Sequence, residues 1–199
     1  CQGKKGGIAP KETTIEASFR SAKPLSSESV EHFYRNIPGW FDFQDVYLHA
    51  VRSVPDGGTI VEVGSWFGRS TAFMAVEIVN SGKGIRFYAV DTWEGSPDEP
   101  ECRDIVRRHG GSIYCNFLHN MRAGQVLAHV RPIHLPSAEA AAWFDEESLD
   151  FCFIDAAHDY DSVRNDINAW VPKVKIGGLL GGHDINRYQV RPAVQSMLP

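Results

Sequence analysis

Runs of apolar and polar positions divide most of the chain into strand-like and helix-like segments. Short apolar runs, rich in β-branched residues, lie at 59–63, 86–90, 130–135 and 149–154, and a fifth begins at Leu179. Between these runs, apolar residues return every three to four positions, as on one face of an amphipathic helix. The alternation of strand and helix predicts a doubly wound, mainly parallel α/β sheet, with the carboxyl ends of its strands on one rim.

Helical segments are expected where apolar residues recur at helical spacing and where capping residues or prolines mark an end. Residues 94–111 are charged and contain Pro97, Pro100 and paired glycines. We predict a long loop there that either shapes substrate access or is simply solvated. The predicted helices cover 28–36, 41–54, a segment from Arg69, 113–128, 137–144, 163–171 and 187–198.

Composition bounds the domain organisation and the kinds of partner. With 199 residues, 43% of them apolar, the chain can form one substantial core, and its start at Cys1 rather than methionine suggests a trimmed fragment. We expect a mobile N-terminal arm at 1–23, a helical cap at 24–57 and one globular domain at 58–199. The net charge of −5, with acids and bases interspersed, favours neither a nucleic-acid nor a membrane surface. Four cysteines without CxxC spacing favour a reducing cytoplasm.

The stretch TIVEVGSWFGRSTAFMA, residues 59–75, joins the first strand to a helix through a glycine turn. Free backbone N–H groups and the positive end of a helix dipole make such a corner a site for an anionic or strongly polar ligand. Three residues separate Gly64 from Gly68, so neither GxGxxG nor the phosphate-loop pattern GxxxxGK[ST] is present. Glu62, just before the turn, would repel a triphosphate but suits a ligand with an ammonium or sulfonium group.

Three motifs in the right order along residues 37–184 carry a specific resemblance. VEVGSWFGRST resembles the first motif of class I S-adenosylmethionine-dependent methyltransferases. FYAVDTWEG, and LDFCFIDAAHDYDSVRNDINAW followed by GGLLGGHD, resemble the branch that includes macrocin-type sugar O-methyltransferases. The resemblance implies a Rossmann-like fold, S-adenosylmethionine as cofactor, and methyl transfer to a hydroxyl of a small molecule such as a sugar or a polyketide-like natural product. A complete fold of this kind adds a helix and an antiparallel hairpin after the fifth strand, and here only the helix is evident.

The resemblance also implies which residues hold the cofactor. Asp91 ends the second strand, the position from which a carboxylate accepts hydrogen bonds from ribose hydroxyls, although it could also cap a turn. Ser137 corresponds to a residue near the adenine, or it is only the N-cap of the next helix. The expected cofactor contacts are Glu62, Gly64, Ser65, Trp66, Gly68, Ser70, Asp91, Thr92, Trp93, Ser137 and Asp155.

Methyl transfer to a hydroxyl requires removal of a proton, and titratable residues follow the fourth and fifth strands. The candidate catalytic residues are Asp155, His158 and His183. Related magnesium-dependent enzymes hold their metal with acids at these strand ends, which points to Asp155, His183 and Asp184 as ligands for magnesium or manganese. An imidazole ligand shifts preference away from magnesium, so a metal-free reaction with His158 or His183 as general base stays open.

Two functions of other classes also stay open. Two histidines and a carboxylate can form the iron site of an oxygenase, and proteins known as cephalosporin hydroxylases resemble this branch. A ligand-binding module without catalysis is the other alternative. The acceptor is expected to be a small molecule, and the sequence leaves open whether the chain forms homo-oligomers.

Overall fold

The computed structural model describes residues 29–96 and 98–198, and the arm predicted at 1–23 lies outside them. Its centre is a five-stranded, wholly parallel sheet in the order β3-β2-β1-β4-β5, which confirms the predicted doubly wound architecture. The strands are β1 (Thr59–Val63), β2 (Arg86–Asp91), β3 (Arg131–His134), β4 (Leu149–Ile154) and β5 (Val174–Gly182).

Helices cover both faces of this sheet, as parallel strands require. They are α1 (Gln44–Ser53), α2 (Arg69–Ser81), α3 (Pro100–Arg108), α4 (Tyr114–Ala123), α5 (Ser137–Ala141), α6 (Tyr160–Trp170) and α7 (Val190–Met197). Short 3₁₀ turns lie at Tyr34–Asn36, Leu127–His129 and Val171–Lys173.

Several predicted boundaries were wrong. The helix expected at 28–36 is a single 3₁₀ turn within the described residues, and the loop expected at 94–111 contains α3, which begins with Pro100 at a position where its missing N–H costs nothing. The helix predicted at 113–128 stops at Ala123, because the next two residues break it: Gly124 leaves room for a phenyl ring, and Gln125 has a φ of 58°.

Alternation along the strands divides the core into two layers. Ile60 and Phe87 face the larger layer, which contains α1, α2 and α4. Val61 and Val90 face the opposite layer with α5 and α6. This period of two explains why the strand segments could be recognised from apolar β-branched residues.

Most aromatic side chains in the segment before β1 pack against the core. Tyr34 and Phe43 are buried, and the ring of Phe43 lies 4.6 Å from that of Phe153 on β4. Trp40 is the exception: 74% of it is exposed, and it lies at the mouth of a cavity beside Asp42.

None of the helices in the described part of the chain combines the length and apolar character that crossing a bilayer requires.

Candidate functional site

The carboxyl ends of the strands open into one cavity of about 1210 Å³. Ligands bind at this edge of doubly wound sheets, since the loops that leave the strands converge there. Three of the expected site residues, Glu62, Gly68 and Trp93, lie outside the cavity wall. Those that line it are Gly64, Ser65, Trp66, Ser70, Asp91, Thr92, Ser137, Asp155, His158, His183 and Asp184.

At Gly64, the chain that leaves β1 lies directly against the backbone that follows β4. Its φ is +91°, and a Cβ atom there would lie 1.9 Å from the carbonyl oxygen of Asp155. Its N–H donates to the Val90 carbonyl at 2.8 Å, while the N–H of Asp155 donates to the Val63 carbonyl at 2.8 Å. Only glycine fits between the two strand ends, so the cavity floor here is bare backbone.

Asp91 organises the turn that follows β1. Its Oδ2 accepts hydrogen bonds from the N–H groups of Ser65 and Trp66, both at 2.8 Å, and its Oδ1 accepts one from the N–H of Trp93 at 2.6 Å. Burial raises the pKa of Asp91, and these three backbone donors oppose that rise. A carboxylate has about four acceptor positions, so roughly one is left for a ligand such as a ribose hydroxyl.

Trp93 and Gly68 support this turn from behind. The indole Nε1 of Trp93 donates to the Trp66 carbonyl at 2.9 Å, and the Trp93 side chain is fully buried. A Cβ atom on Gly68 would lie 2.6 Å from the methyl group of Met121 on α4. In this structure both residues shape the turn through packing, and a direct contact of either with the cofactor stays a prediction.

Glu62 lies beneath the cavity and is 1% exposed. Its carboxylate accepts hydrogen bonds from the hydroxyls of Tyr47 at 2.7 Å and Ser65 at 2.9 Å, and from Thr71. Burial raises the pKa of Glu62, and the hydroxyl donors oppose the rise. The carboxylate that we expected to meet the ligand's charged end is therefore satisfied by hydroxyls from three elements of the fold.

A cluster of charged side chains lies at the other end of the cavity, around His158. The Nε2 atom of His158 is 2.9 Å from Oδ2 of Asp184 and 3.7 Å from Oδ1 of Asp155, and its Nδ1 atom is 3.4 Å from Oε1 of Glu99. Burial alone would lower the pKa of His158, but Asp155, Asp184 and Glu99 outweigh burial and the charge of Arg187, so the pKa is raised. The cluster stabilises a protonated imidazole.

His183 does not take the place that the sequence predicted. Its Nε2 atom lies 2.8 Å from Oδ1 of Asp42 in the N-terminal segment, and its Nδ1 atom is 3.7 Å from Asp155 and 3.6 Å from Asp184. The group with metal-binding geometry is instead Asp155, His158 and Asp184, whose ligand atoms all lie within 4.8 Å of one another. A single histidine with two carboxylates also differs from the two-histidine iron site considered above.

Sequence reasoning missed four charged residues that complete the cluster. The carboxylate of Asp98 accepts a hydrogen bond from the N–H of His158 at 3.0 Å. Arg187 bridges Oε1 of Glu99 at 2.7 Å and Oδ2 of Asp184 at 3.0 Å. Asp42, which contacts His183, is the fourth of these residues, after Asp98, Glu99 and Arg187. The sequence contained one indication of these residues, the charged and proline-containing composition of 94–111. It indicated a loop that shapes access to the site, but not which residues the loop contacts.

The cavity fits a nucleoside with a polar tail. The bare backbone at Gly64 admits a close approach, and Asp91 retains an acceptor position at the tip of β2. Beside Asp91, the segment 135–138 offers the apolar surface of Leu135 and Pro136 against which a flat base can pack.

The sequence profile of the methyltransferase domain family Methyltransf_24 matches residues 61–185, from β1 to the cluster at Asp184. The chain belongs to the class I S-adenosylmethionine-dependent methyltransferases. Membership of this family implies S-adenosylmethionine as the cofactor.

A curated relative of this methyltransferase domain is a much longer protein. An uncharacterized protein of Sinorhizobium fredii, y4gI, is 26% identical over 160 residues, which cover 78% of this chain and 16% of that protein. The chain thus spans about a sixth of the length of this curated relative.

Solved methyltransferases share the fold at low sequence identity. An S-adenosylmethionine-dependent O-methyltransferase of Thermotoga maritima superposes with a TM-score of 0.55 at 18% identity, covering 80% of this chain and 51% of that one. The O-methyltransferase NovP gives a TM-score of 0.57 at 20% identity, covering 77% and 69%. A precorrin-6y C5,15-methyltransferase of Geobacter metallireducens gives 0.52 at 14%, covering 81% and 75%. These likenesses concern the fold, which carries methyl transfer to different atoms.

Replacing Asp91 by alanine should weaken binding of S-adenosylhomocysteine by about tenfold to a hundredfold, corresponding to about 1.5–3 kcal/mol for a charge-assisted hydrogen bond. The variant loses the ribose acceptor and also the anchor of the Ser65 and Trp66 amides. Isothermal titration calorimetry measures the affinity directly.

Asp150 provides a matched control for the Asp91 variant. Its carboxylate accepts a hydrogen bond from the N–H of Thr59 at 2.8 Å and pairs with Lys175, but it lies at the opposite edge of the sheet from the cavity. Asp150→Ala should lower stability without changing the affinity. Unchanged affinity in a folded Asp91→Ala protein would remove the ribose assignment.

Proposed function

We propose that this methyltransferase domain methylates a hydroxyl group of a small molecule that enters beside His158. The observation that carries the proposal is the position of this imidazole, set between Asp155, Asp184 and Glu99 in the same cavity as Asp91. When bound, the cofactor supplies an electrophilic methyl group on a positively charged sulfur. The protein must then orient the acceptor oxygen and take its proton.

The volume of the cavity supports a second small molecule beside the cofactor. Pockets for one small ligand commonly measure about 300–1,000 Å³, and this cavity measures about 1210 Å³. Trp40 and Asp42 line its mouth on the side of His183. An exposed indole next to a carboxylate suits an acceptor with both an apolar face and hydroxyl groups, such as a sugar or a glycosylated natural product.

His158 is the residue best placed to hold the acceptor's proton. The carboxylates around it stabilise the imidazolium form that results, as the raised pKa indicates, and Oδ2 of Asp184 lies 2.9 Å from Nε2. Both ring nitrogens are shielded from solvent in this structure, and Asp98 and Glu99 cover the Nδ1 side. A bound acceptor therefore has to displace part of this shield before its hydroxyl reaches the ring.

The same three side chains could also hold a divalent ion. Two carboxylates and one imidazole suit manganese, iron or zinc better than magnesium, and such an ion would polarise the acceptor oxygen. Arg187 opposes this use, since its guanidinium already lies 3.0 Å from Asp184. Because the Arg187 guanidinium already supplies positive charge at this position, we favour the metal-free reaction, in which the neutral imidazole of His158 takes the proton.

The test is an assay of the purified chain with S-adenosylmethionine and a panel of sugars, glycosylated polyketides and phenols, with amine and thiol analogues for comparison. Release of S-adenosylhomocysteine with one methyl group added to an oxygen supports the proposal. Transfer only to nitrogen, sulfur or carbon would contradict it. Tight binding of S-adenosylhomocysteine without transfer to any acceptor class would favour the non-catalytic binding module instead.

Removal of metal by a chelator distinguishes the metal-free reaction from the metal-dependent one. With an active acceptor in hand, we expect the rate to be unchanged by an excess of EDTA, because Arg187 carries the positive charge that a metal would otherwise provide and the neutral imidazole of His158 takes the proton. The control adds back manganese or magnesium after chelation. Loss of activity in EDTA and its return with a divalent ion would replace the metal-free mechanism with the metal-dependent one.

A further inference from the structure

Asp166 carries a buried carboxylate that the chemistry above does not use. It lies on α6, a helix rather than a strand-end loop, is 6% exposed, and its side chain lines the cavity near the segment 135–138. Burial raises the pKa of Asp166 to about 6, the Ser137 hydroxyl opposes the rise, and Asp159 adds to it. No cationic side chain in the described residues contributes to this balance, so at neutral pH Asp166 is a largely ionised, desolvated acceptor.

The hydroxyl of Ser137 is already used within the fold. Its Oγ accepts a hydrogen bond from the indole N–H of Trp170 at 2.9 Å, and the hydroxyl lies near enough to Asp166 to lower the pKa of that carboxyl. Trp170 is fully buried, which fixes the donor side of this chain of hydrogen bonds. Asp166 is the buried carboxylate at this wall, and it can only accept hydrogen bonds when ionised.

The sheet register places this wall next to the ribose end of the cavity. Asp91 pairs with His134 across β2 and β3, and Ser137 follows three residues later on the same connection. A nucleoside whose ribose meets Asp91 therefore extends its base toward the segment 135–138 and Asp166. A carboxylate only accepts hydrogen bonds, whereas the 6-amino group of adenine donates them.

We propose that Asp166 is a specificity residue that accepts a hydrogen bond from the 6-amino group of the cofactor's adenine. The proposal rests on the cofactor assignment but not on the acceptor or the mechanism of transfer. It predicts rejection of a 6-oxo base, because two acceptors would then face each other in a buried site. It also explains why the fold keeps a carboxylate at a position where burial opposes its ionisation.

The experiment compares S-adenosylhomocysteine with S-inosylhomocysteine, in which an oxygen replaces the 6-amino group and N1 carries a proton, by calorimetry at pH 7.5. The wild-type protein should bind the adenine compound at least about tenfold more tightly. Asp166→Asn should bring the ratio close to one, since the amide can donate to a 6-oxo group. The control is Asp161→Asn on the exposed side of the same helix, which should keep the wild-type ratio.

Each outcome decides the proposal. Equal binding of the two compounds by the wild-type protein, or a wild-type ratio in Asp166→Asn, would overturn it. Folding is checked by thermal melting: the raised pKa means that ionised Asp166 opposes folding above about pH 6, so Asp166→Asn should melt at the same or a higher temperature. A failure to methylate any hydroxyl would leave this binding ratio unaffected, which separates the proposal from the proposed function.

Discussion

Alanine at position 64 should destabilise the folded protein by about 2–5 kcal/mol and abolish cofactor binding, because the added Cβ atom cannot be accommodated. It would lie 1.9 Å from the carbonyl oxygen and 2.5 Å from the carbonyl carbon of Asp155, and both are backbone atoms that cannot rotate away. Relief of the clash requires β1 and β4 to separate where their last hydrogen bonds form. Urea denaturation and calorimetry with S-adenosylhomocysteine measure the two effects.

Gly82 provides the matched control for Gly64. It also has a positive φ, of 68°, but a Cβ atom there would meet nothing within 4 Å. Gly82→Ala should therefore lower the free energy of unfolding by only about 1 kcal/mol, the cost of placing alanine at a positive φ. Cofactor affinity should be unchanged. If the two alanine variants were equally stable, the close approach at Gly64 would not be a determinant of the site.

The sheet and its glycine corner could be predicted because both depend on local patterns. Apolar β-branched runs identified the strands, and the parallel topology then required Gly64, Asp91 and Asp155 to meet at one edge. The direct reason for glycine at 64 could not be predicted. The sequence indicated a contact with the cofactor, whereas an added Cβ atom would first meet the backbone of Asp155, directly after β4.

Predictions that needed the path of a loop were less successful. The candidate metal group contains His158 where we had predicted His183. This difference depends on Asp184, whose φ of 57° turns the chain directly after His183. That turn leaves Asp184 2.9 Å from Nε2 of His158 while His183 contacts Asp42. The left-handed backbone of Asp184 produces no periodic pattern in the sequence. The same is true of the contact between His183 and Asp42, which are 141 positions apart.

Glu62 shows the same limit for a buried residue. A carboxylate just before the glycine turn indicated a contact with a cationic ligand, but Tyr47 from α1 reaches beneath the sheet edge and donates its hydroxyl. Tyr47 itself is fully buried. The strand residue that its hydroxyl contacts depends on how α1 packs against the sheet. That packing is set by the whole folded core and cannot be read from the local sequence.

Exchange of His158 for glutamine should lower the rate of hydroxyl methylation by about 10²–10⁴-fold, the usual contribution of a general base, with cofactor affinity preserved. Glutamine keeps much of the volume and a polar tip beside Asp184, but it cannot take a proton at neutral pH. Asp91 and the Gly64 backbone are unchanged in this variant. The methylation rate should therefore fall while the cofactor affinity stays at the wild-type value. Single-turnover rates and calorimetry on the same preparation measure them.

Two further histidine variants make the His158 result specific. His119→Gln, on the exposed side of α4 and outside the cavity wall, should leave the rate unchanged. His183→Gln should have a smaller effect than His158→Gln, because its Nε2 atom is held by Asp42 and its Nδ1 atom lies 3.6 Å or more from Asp155 and Asp184. If His183→Gln lost more activity than His158→Gln, the base would be His183, and the contact with Asp42 would then be its orienting partner.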